Sequence, residues 1–197
     1  MALSSRIVLV PVVAGITVLG VWVAGGVLTN DFRASMALTA LWLALAGAAA
    51  FVLSWRRRAL RAPVGATFLV TAAAIGGFLG WTTLRDRVVN ERVVSGVASA
   101  QGVFRSAEHR TTGTAAIVGR YLVLRDLDTS PGPDLRVRLS ESEDAGHGKD
   151  LGGLKGNRGT QQYALPPGVD LARYDTVVIW CRAFSAAFGT ARLRGPA

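Results

Sequence analysis

An uncharged run near the start of the chain decides its fold: residues 7–28 read IVLVPVVAGITVLGVWVAGGVL, with Thr17 as the only polar side chain. About 20 helical residues suffice to cross the roughly 30 Å hydrocarbon core of a bilayer. Two more uncharged runs follow, over residues 34–55 and 63–84. In lipid each must be helical, because no water is present to satisfy its backbone. The sequence therefore predicts a three-helix membrane anchor over residues 1–84.

The first run differs from a cleaved secretory signal. Its apolar stretch exceeds the roughly 7–15 residues usual in such signals, and no small-x-small cleavage site precedes Thr29. We therefore expect this run to be retained as a transmembrane helix.

Basic residues predict the orientation of the anchor. Arg56, Arg57, Arg58 and Arg61 lie between the second and third runs, whereas the loop at residues 29–33 has no net charge. Short arginine-rich loops stay in the cytoplasm. We expect a multi-pass protein of the cell membrane, with a cytoplasmic N-terminus and an extracytoplasmic C-terminal part.

The positive charge of the chain lies largely at these membrane flanks. Residues 1–62 carry six arginines against one acid, Asp31, within a total formal charge of +9. The charge is therefore poor evidence for nucleic-acid binding, and we expect a lipid bilayer rather than a nucleic acid as partner. The 20 arginines against two lysines are typical of a GC-rich bacterial genome.

Residues 85–101 connect the anchor to the remainder of the chain. The charged segment at residues 85–94 is expected to extend the third helix, and residues 95–102 are expected to form a flexible linker. No helical periodicity follows this connection.

Residues 102–197 show the pattern of short strands bounded by turns. LRVRL at residues 135–139 alternates between apolar and basic side chains, and TVVIWC at residues 176–181 is apolar on both faces, as in a central strand. Strands are predicted at residues 113–118, 121–124, 135–139, 161–165, 176–181 and 186–193. Six short strands in about 100 residues predict an all-β, sandwich-like domain.

Few residues in this domain are suited to chemistry. The sequence contains no HExxH, CxxC or GxSxG motif, so we expect no metal site of those types and no enzyme acting by itself. His147 lies in a glycine-rich acidic loop and is expected to be exposed. His109, ahead of a strand, is favoured as a surface or hydrogen-bonded side chain over a ligand or proton shuttle.

Cys181 is the only cysteine, so the chain cannot form an internal disulfide. Two interpretations remain open. A reactive thiol needs exposure and nearby positive charge, which the adjacent Arg182 can supply. A cysteine at the end of an apolar strand is also often a small buried hydrophobe.

The β domain resembles the electron transfer DM-thirteen domain family over residues 102–193. The resemblance rests on many short matches in the family's order. They are Phe104, His109 and Gly113, then GPDLRV at 132–137, LGGLKGNRG at 151–159 and QYALP at 162–166, and finally Tyr174, VVIWC at 177–181, Phe184, Phe188-Gly189 and Ala191.

The resemblance implies a β-sandwich-like fold outside the cytoplasm. It also implies that Cys181 is the family's motif cysteine. For a redox role of this thiol, Trp180, His109 and Arg182 are the expected supporting residues. Relatives carry the domain beside haem-type redox domains, so a haem or a metal is a candidate cofactor, although no motif here supports either one.

Two functions are therefore expected as alternatives. In the first, the domain takes part in redox chemistry at the cell envelope through Cys181, together with another envelope or redox protein. In the second, it is a non-catalytic binding or scaffolding module, whose loops at residues 126–134 and 141–158 contact another molecule and whose Cys181 is structural.

Overall fold

The computed structural model describes residues 3–29, 31–143 and 148–195, with side chains from residue 8 onward. His147 lies outside the described residues. The chain forms two compact units, and the main boundary between them falls between Trp81 and Thr82.

Three long helices make up the N-terminal unit. They are α1 at Leu3–Gly26, α2 at Phe32–Arg56 and α3 at Thr67–Leu84. Asp31 caps α2, because its carboxylate accepts a hydrogen bond of 2.7 Å from the backbone N–H of Ala34. Three helical stretches are long and apolar enough to cross a membrane: Val8–Gly26, Phe32–Arg56 and Arg58–Leu84, the last of which begins ahead of α3.

The connection between α2 and α3 is tightly wound. A short 3₁₀ turn at Arg58–Leu60 is followed by a π-helical turn at Arg61–Ala66, which runs directly into α3. Pro63 and Val64 of this turn are buried. The basic loop expected from the sequence is thus a structured turn.

Trp42 joins the first two helices. Its indole Nε1 donates a hydrogen bond of 3.3 Å to the backbone carbonyl of Thr17 in α1. The ring occupies the space left by Gly20, where an added Cβ would lie 2.0 Å from a ring atom. Small residues allow this kind of close approach between helices.

The C-terminal unit contains two five-stranded sheets. In the described residues the strands are β1 Val88–Asn90, β2 Ala100–Val103, β3 Arg105–Ser106, β4 Thr111–Val118, β5 Tyr121–Thr129, β6 Leu135–Ser140, β7 Lys149–Gly153, β8 Arg158–Ala164, β9 Thr176–Cys181 and β10 Ala186–Arg192. The first sheet has the order β1-β8-β5-β4-β2, and the second has the order β3-β10-β9-β6-β7. The predicted fold class, three apolar helices followed by an all-β domain, is confirmed.

The structure corrects the expected helical extension over residues 85–94. Helix α3 ends at Leu84, and Val88–Asn90 forms strand β1, which pairs in parallel with β8. The adjacent valines suit an extended backbone, because branching at Cβ favours strands.

The expected flexible linker is also partly strand. Ala100–Val103 forms β2, which pairs antiparallel with β4. The glycine-rich segment Lys149–Gly153, expected to be loop, forms β7 beside β6. Both are the last strand of their sheet. At such a position, pairing with the neighbouring strand determines the backbone conformation more than the amino-acid composition of the segment does.

The core of the domain consists of side chains from the central strands. Ala115, Leu122 and Leu124 of the first sheet are fully buried, as are Val137 and Ile179 of the second. Strand β9 lies in the middle of the second sheet and has six buried residues in succession. It carries Cys181 at its C-terminal end.

Candidate functional site

Cys181 lies in the interior of the second sheet. In the register of β9, it is paired with Leu135 of β6 and with Ala186 of β10. Cys181 and Ala186 are 0% exposed, and Leu135 is buried as well. The thiol is therefore surrounded by neighbouring strands and is closed to solvent in this conformation.

Trp180 faces the other side of the same sheet. Successive side chains of a strand alternate between faces, and Trp180 is paired with Arg136 of β6 and Ala187 of β10. It packs with Val178 and Ala187 in a small separate apolar cluster. Trp180 was predicted to support the thiol, but the side chains of Trp180 and Cys181 lie on opposite faces of the sheet.

Arg182 is bound to an acidic residue. Its guanidinium Nε donates a hydrogen bond of 2.6 Å to the carboxylate of Asp134, and its backbone N–H donates one of 3.0 Å to the Asp134 carbonyl. The Arg182 side chain is 65% exposed. Its charge is thus paired at the surface, whereas Cys181 lies in the interior.

His109 stacks on an aromatic ring. It lies in the turn between β3 and β4, and its imidazole lies 4.0 Å from the Phe188 ring, centroid to centroid, at an angle of 30°. Partial burial lowers the pKa of His109, because it disfavours the charged imidazolium. The neutral imidazole therefore predominates at neutral pH.

Hydrogen bonds fix this turn against β10. The backbone N–H groups of Ala107 and Glu108 donate to the carbonyls of Phe188 and Ala187, each at 3.1 Å. Thr111 also donates to the Phe188 carbonyl at 3.1 Å, and its hydroxyl lies 2.7 Å from that of Thr129. Phe188 occupies an irregular position of β10, where the register to β9 shifts between Ala187 and Gly189.

A glycine connects the surroundings of His109 and Cys181. A Cβ on Gly132 would lie 3.0 Å from the ring of Phe188 and 3.0 Å from the side chain of Leu135. Phe188 carries His109 on its ring, and Leu135 is the cross-strand neighbour of Cys181. No role was predicted for Phe188, Gly132 or Leu135, although all three lie in the segments that carry the resemblance.

A buried polar cluster lies elsewhere, in the LKGN part of the 151–159 segment. Gln161 is 0% exposed, and its amide oxygen accepts hydrogen bonds from the N–H groups of Lys155 and Gly156 and from the Tyr163 hydroxyl. Its amide nitrogen donates to the Gly156 carbonyl at 2.7 Å. Burial raises the pKa of Tyr163 to about 12.

The same segment holds the residues that follow α3. The amide of Asn157 accepts from Arg87 N–H at 2.6 Å and donates to the Asp86 carboxylate at 2.8 Å. The Lys155 ammonium donates to both carboxylate oxygens of Glu91, at 2.7 and 2.9 Å. This hydrogen bond is the main cause of the lowered pKa of Glu91. The described contacts of the 151–159 segment are thus largely structural.

No metal centre is formed by the residues that the structure describes. Among them, no group of three or more His, Cys, Asp or Glu side chains is placed to hold a metal ion. His109 stacks on Phe188, whereas Cys181 is buried beside Leu135 and Ala186. Because Cys181 is 0% exposed, its sulfur offers no open position to a haem or a metal in this conformation.

The β domain was compared with known protein families. Residues 103–193 match the family described as Electron transfer DM13. No curated protein and no solved structure matches the chain. The match includes His109, Phe188, Trp180 and Cys181, and it leaves out β1 and most of β2. Over residues 103–193, the β domain of this chain is therefore similar to the electron transfer DM13 family.

Proposed function

We propose that the protein is a membrane-anchored DM13 protein whose β domain lies outside the cytoplasm and takes part in redox chemistry at the cell envelope through Cys181. The match to the electron transfer DM13 family, which spans the strand that ends in Cys181, is the observation that carries this proposal. The three long apolar helices support the anchor.

The charge of the turns supports the orientation. The exposed turn between α2 and α3 carries four arginines. The segment at residues 29–33, between α1 and the start of α2, has no net charge, because it contains one arginine, Arg33, and one acid, Asp31. By the preference of short basic loops for the cytoplasm, the N-terminus lies inside and the β domain outside. The arginine-rich composition supports a bacterial cell membrane as the location.

Single-cysteine labelling tests the orientation. In a Cys181→Ala background, Ala59→Cys places a thiol in the exposed arginine-rich turn, and Val97→Cys places one at a position that is 92% exposed. A membrane-impermeant maleimide applied to intact cells should label the second variant and not the first. The reverse result would overturn the orientation.

The burial of Cys181 restricts how its thiol could be oxidised. Reaction of the thiol with hydrogen peroxide would give a sulfenic acid and one water, and it requires contact between sulfur and oxidant. Because Cys181 is 0% exposed, this contact needs a local opening of the ends of β6, β9 and β10. The redox proposal therefore requires that opening to be faster than global unfolding.

The burial of Cys181 specifically favours the second candidate function, a binding or scaffolding module in which Cys181 is structural. The same observation separates the two proposals. The full chain in detergent is treated with hydrogen peroxide, sulfenic acid is trapped with a dimedone reagent, and the rate is compared with that of global unfolding. Trapping that exceeds the unfolding rate supports redox chemistry, and trapping limited by unfolding supports the module.

A further inference from the structure

The turn between α2 and α3 concentrates positive charge without opposing charge. We call Arg56, Arg57, Arg58 and Arg61 the arginine turn. All four residues are exposed, and in the described part of the chain none of them forms an ion pair. Between Asp31 and Asp86 the sequence contains no carboxylate side chain. In the described residues, no carboxylate therefore neutralises these four charges.

Only one of the four arginines has a clear structural use. The Arg61 Nε lies 3.4 Å from the carbonyl oxygen of Ser54, in the last turn of α2, where basic groups complement the helix dipole. The backbone of Arg57 closes the helix by donating to the Leu53 carbonyl at 3.0 Å. Neither contact uses the guanidinium groups of Arg56, Arg57 and Arg58.

The turn is held in a defined shape. Pro63 and Val64 are buried beneath it, and the turn continues into α3 without a break. Trp55, one residue before the arginines, is 71% exposed and stacks edge-to-face with Phe51 at 5.3 Å. Exposed tryptophans at the ends of transmembrane helices lie at the level of the lipid headgroups.

We propose that the arginine turn binds the phosphate groups of anionic phospholipids at the membrane surface. This inference rests on the proposed membrane span of the three helices. Guanidinium groups form paired hydrogen bonds with phosphate oxygens, and each basic residue near an anionic surface adds to the attraction. The adjacent Trp55 places the turn at the depth where those phosphates lie, which favours a lipid over a soluble anion or a protein.

The test uses the full chain in bilayer discs that contain phosphatidylcholine and a smaller share of phosphatidylglycerol. After release from the discs, native mass spectrometry counts the lipids of each class that stay bound. The wild-type protein should retain phosphatidylglycerol in preference to phosphatidylcholine. Replacing all four residues of the arginine turn by glutamine should lower this preference by about fivefold per arginine.

A matched control removes the same charge elsewhere. Arg105, Arg120, Arg125 and Arg194 of the β domain are also exposed, and their replacement by glutamine should leave the lipid preference unchanged. Replacing the arginine turn by lysine keeps the charge and removes the planar fork, so part of the preference should remain. Equal loss in the control variant, or an unchanged preference in the glutamine variant of the turn, would overturn the proposal.

Failure of the membrane span itself would be seen separately. Before the lipid measurement, membranes from expressing cells are washed with alkaline carbonate. A chain that leaves the membrane fraction contradicts the proposed anchor, whereas a chain that stays there without preferring phosphatidylglycerol contradicts only the lipid site. The result does not depend on orientation, because both leaflets of the discs contain the anionic lipid.

Discussion

Trp180 and Cys181 are adjacent in β9, yet their side chains lie on opposite faces of the second sheet. The thiol lies on the face of Leu135 and Ala186, whereas the indole lies beside Arg136 and Ala187. Any chemistry at the sulfur is therefore controlled by how β6 and β10 cover it. Trp180 can act on the thiol only through the backbone that they share.

Cys181 should react slowly with maleimides in the folded protein. Its sulfur is closed to solvent, so labelling requires an opening of the surrounding strands. We expect a rate at least about a thousandfold below that of Val97→Cys in a Cys181→Ala background, corresponding to an opening cost of about 4 kcal/mol. Time-resolved mass spectrometry of both full-length proteins in detergent measures the two rates.

The Arg182→Gln variant provides the control for charge. The Arg182 guanidinium is paired with Asp134 and is largely exposed, so its removal should leave the labelling rate of Cys181 unchanged. A fast reaction in the wild-type protein that slows in this variant would show that Arg182 activates the thiol, contrary to the observed pairing.

Tyr163 should make stability depend on alkaline pH. Its pKa is about 12 in the folded protein and about 10 in an unfolded chain. The folded state therefore keeps the proton to higher pH, and the contribution is present below pH 10 and lost as the pH rises towards 12. Chemical unfolding of the full chain at several alkaline pH values should show this loss.

The Tyr163→Phe variant isolates the effect of that hydroxyl. It lacks the titrating group, so its stability should fall less steeply over the same pH interval. Near-ultraviolet tyrosinate absorbance should also lose its component of highest pKa. Identical pH profiles for both proteins would contradict the burial of the Tyr163 hydroxyl.

Gly159 should be required for the attachment of β1. It has a φ of +103°, and an added Cβ would lie 2.2 Å from the backbone oxygen of Val89. Gly152 has a similar φ of +123° but no atom within 4 Å of an added Cβ. Gly159→Ala and Gly152→Ala should therefore both strain the backbone at a positive φ. Only Gly159→Ala should also displace β1, because its new methyl group would collide with Val89.

Limited trypsin digestion measures this displacement. Cleavage after Arg87 and Arg92 should become faster in Gly159→Ala than in Gly152→Ala, because both arginines flank or belong to the segment that β8 holds. Equal cleavage in the two variants would mean that the contact with Val89 does not hold the strand.

Gly20→Ala should weaken the packing of α1 against α2. The new methyl group would overlap the Trp42 ring. Displacement of that ring would break the hydrogen bond from its Nε1 to the Thr17 carbonyl. Overpacking of this kind costs about 1–3 kcal/mol. Gly15→Ala is the matched control, because nothing lies within 4 Å of its added Cβ. Thermal loss of helical circular dichroism in detergent should occur earlier in Gly20→Ala only.

The sequence predicted the central strands well. Thr176–Cys181 has the predicted bounds, and Leu135–Ser140 is one residue longer than predicted. Both are covered by neighbours on two sides, so their composition reflects burial directly. Strands β1 and β7 were not predicted. Both are short strands at the end of a sheet, and whether such a strand forms depends on the register of its neighbour more than on its own composition.

The candidate site was predicted less completely. Strand alternation alone could have placed Trp180 and Cys181 on opposite faces. The stacking of His109 on Phe188 could not have been predicted, because it depends on the register shift between Ala187 and Gly189. Likewise, the pairing of Arg182 with Asp134 joins residues 48 positions apart in the chain.

Strand β1 also affects where a fragment that contains only the β domain should begin. The family match begins at residue 103, whereas β1 and three of the four residues of β2 precede it. A fragment trimmed to the match would leave the outer edges of β8 and β4 bare and would take from Lys155 and Asn157 their partners Glu91 and Asp86. Bare edges of this kind recruit other strands and promote aggregation. The β domain as it folds in this chain thus begins before the family match, with the residues just after the last helix.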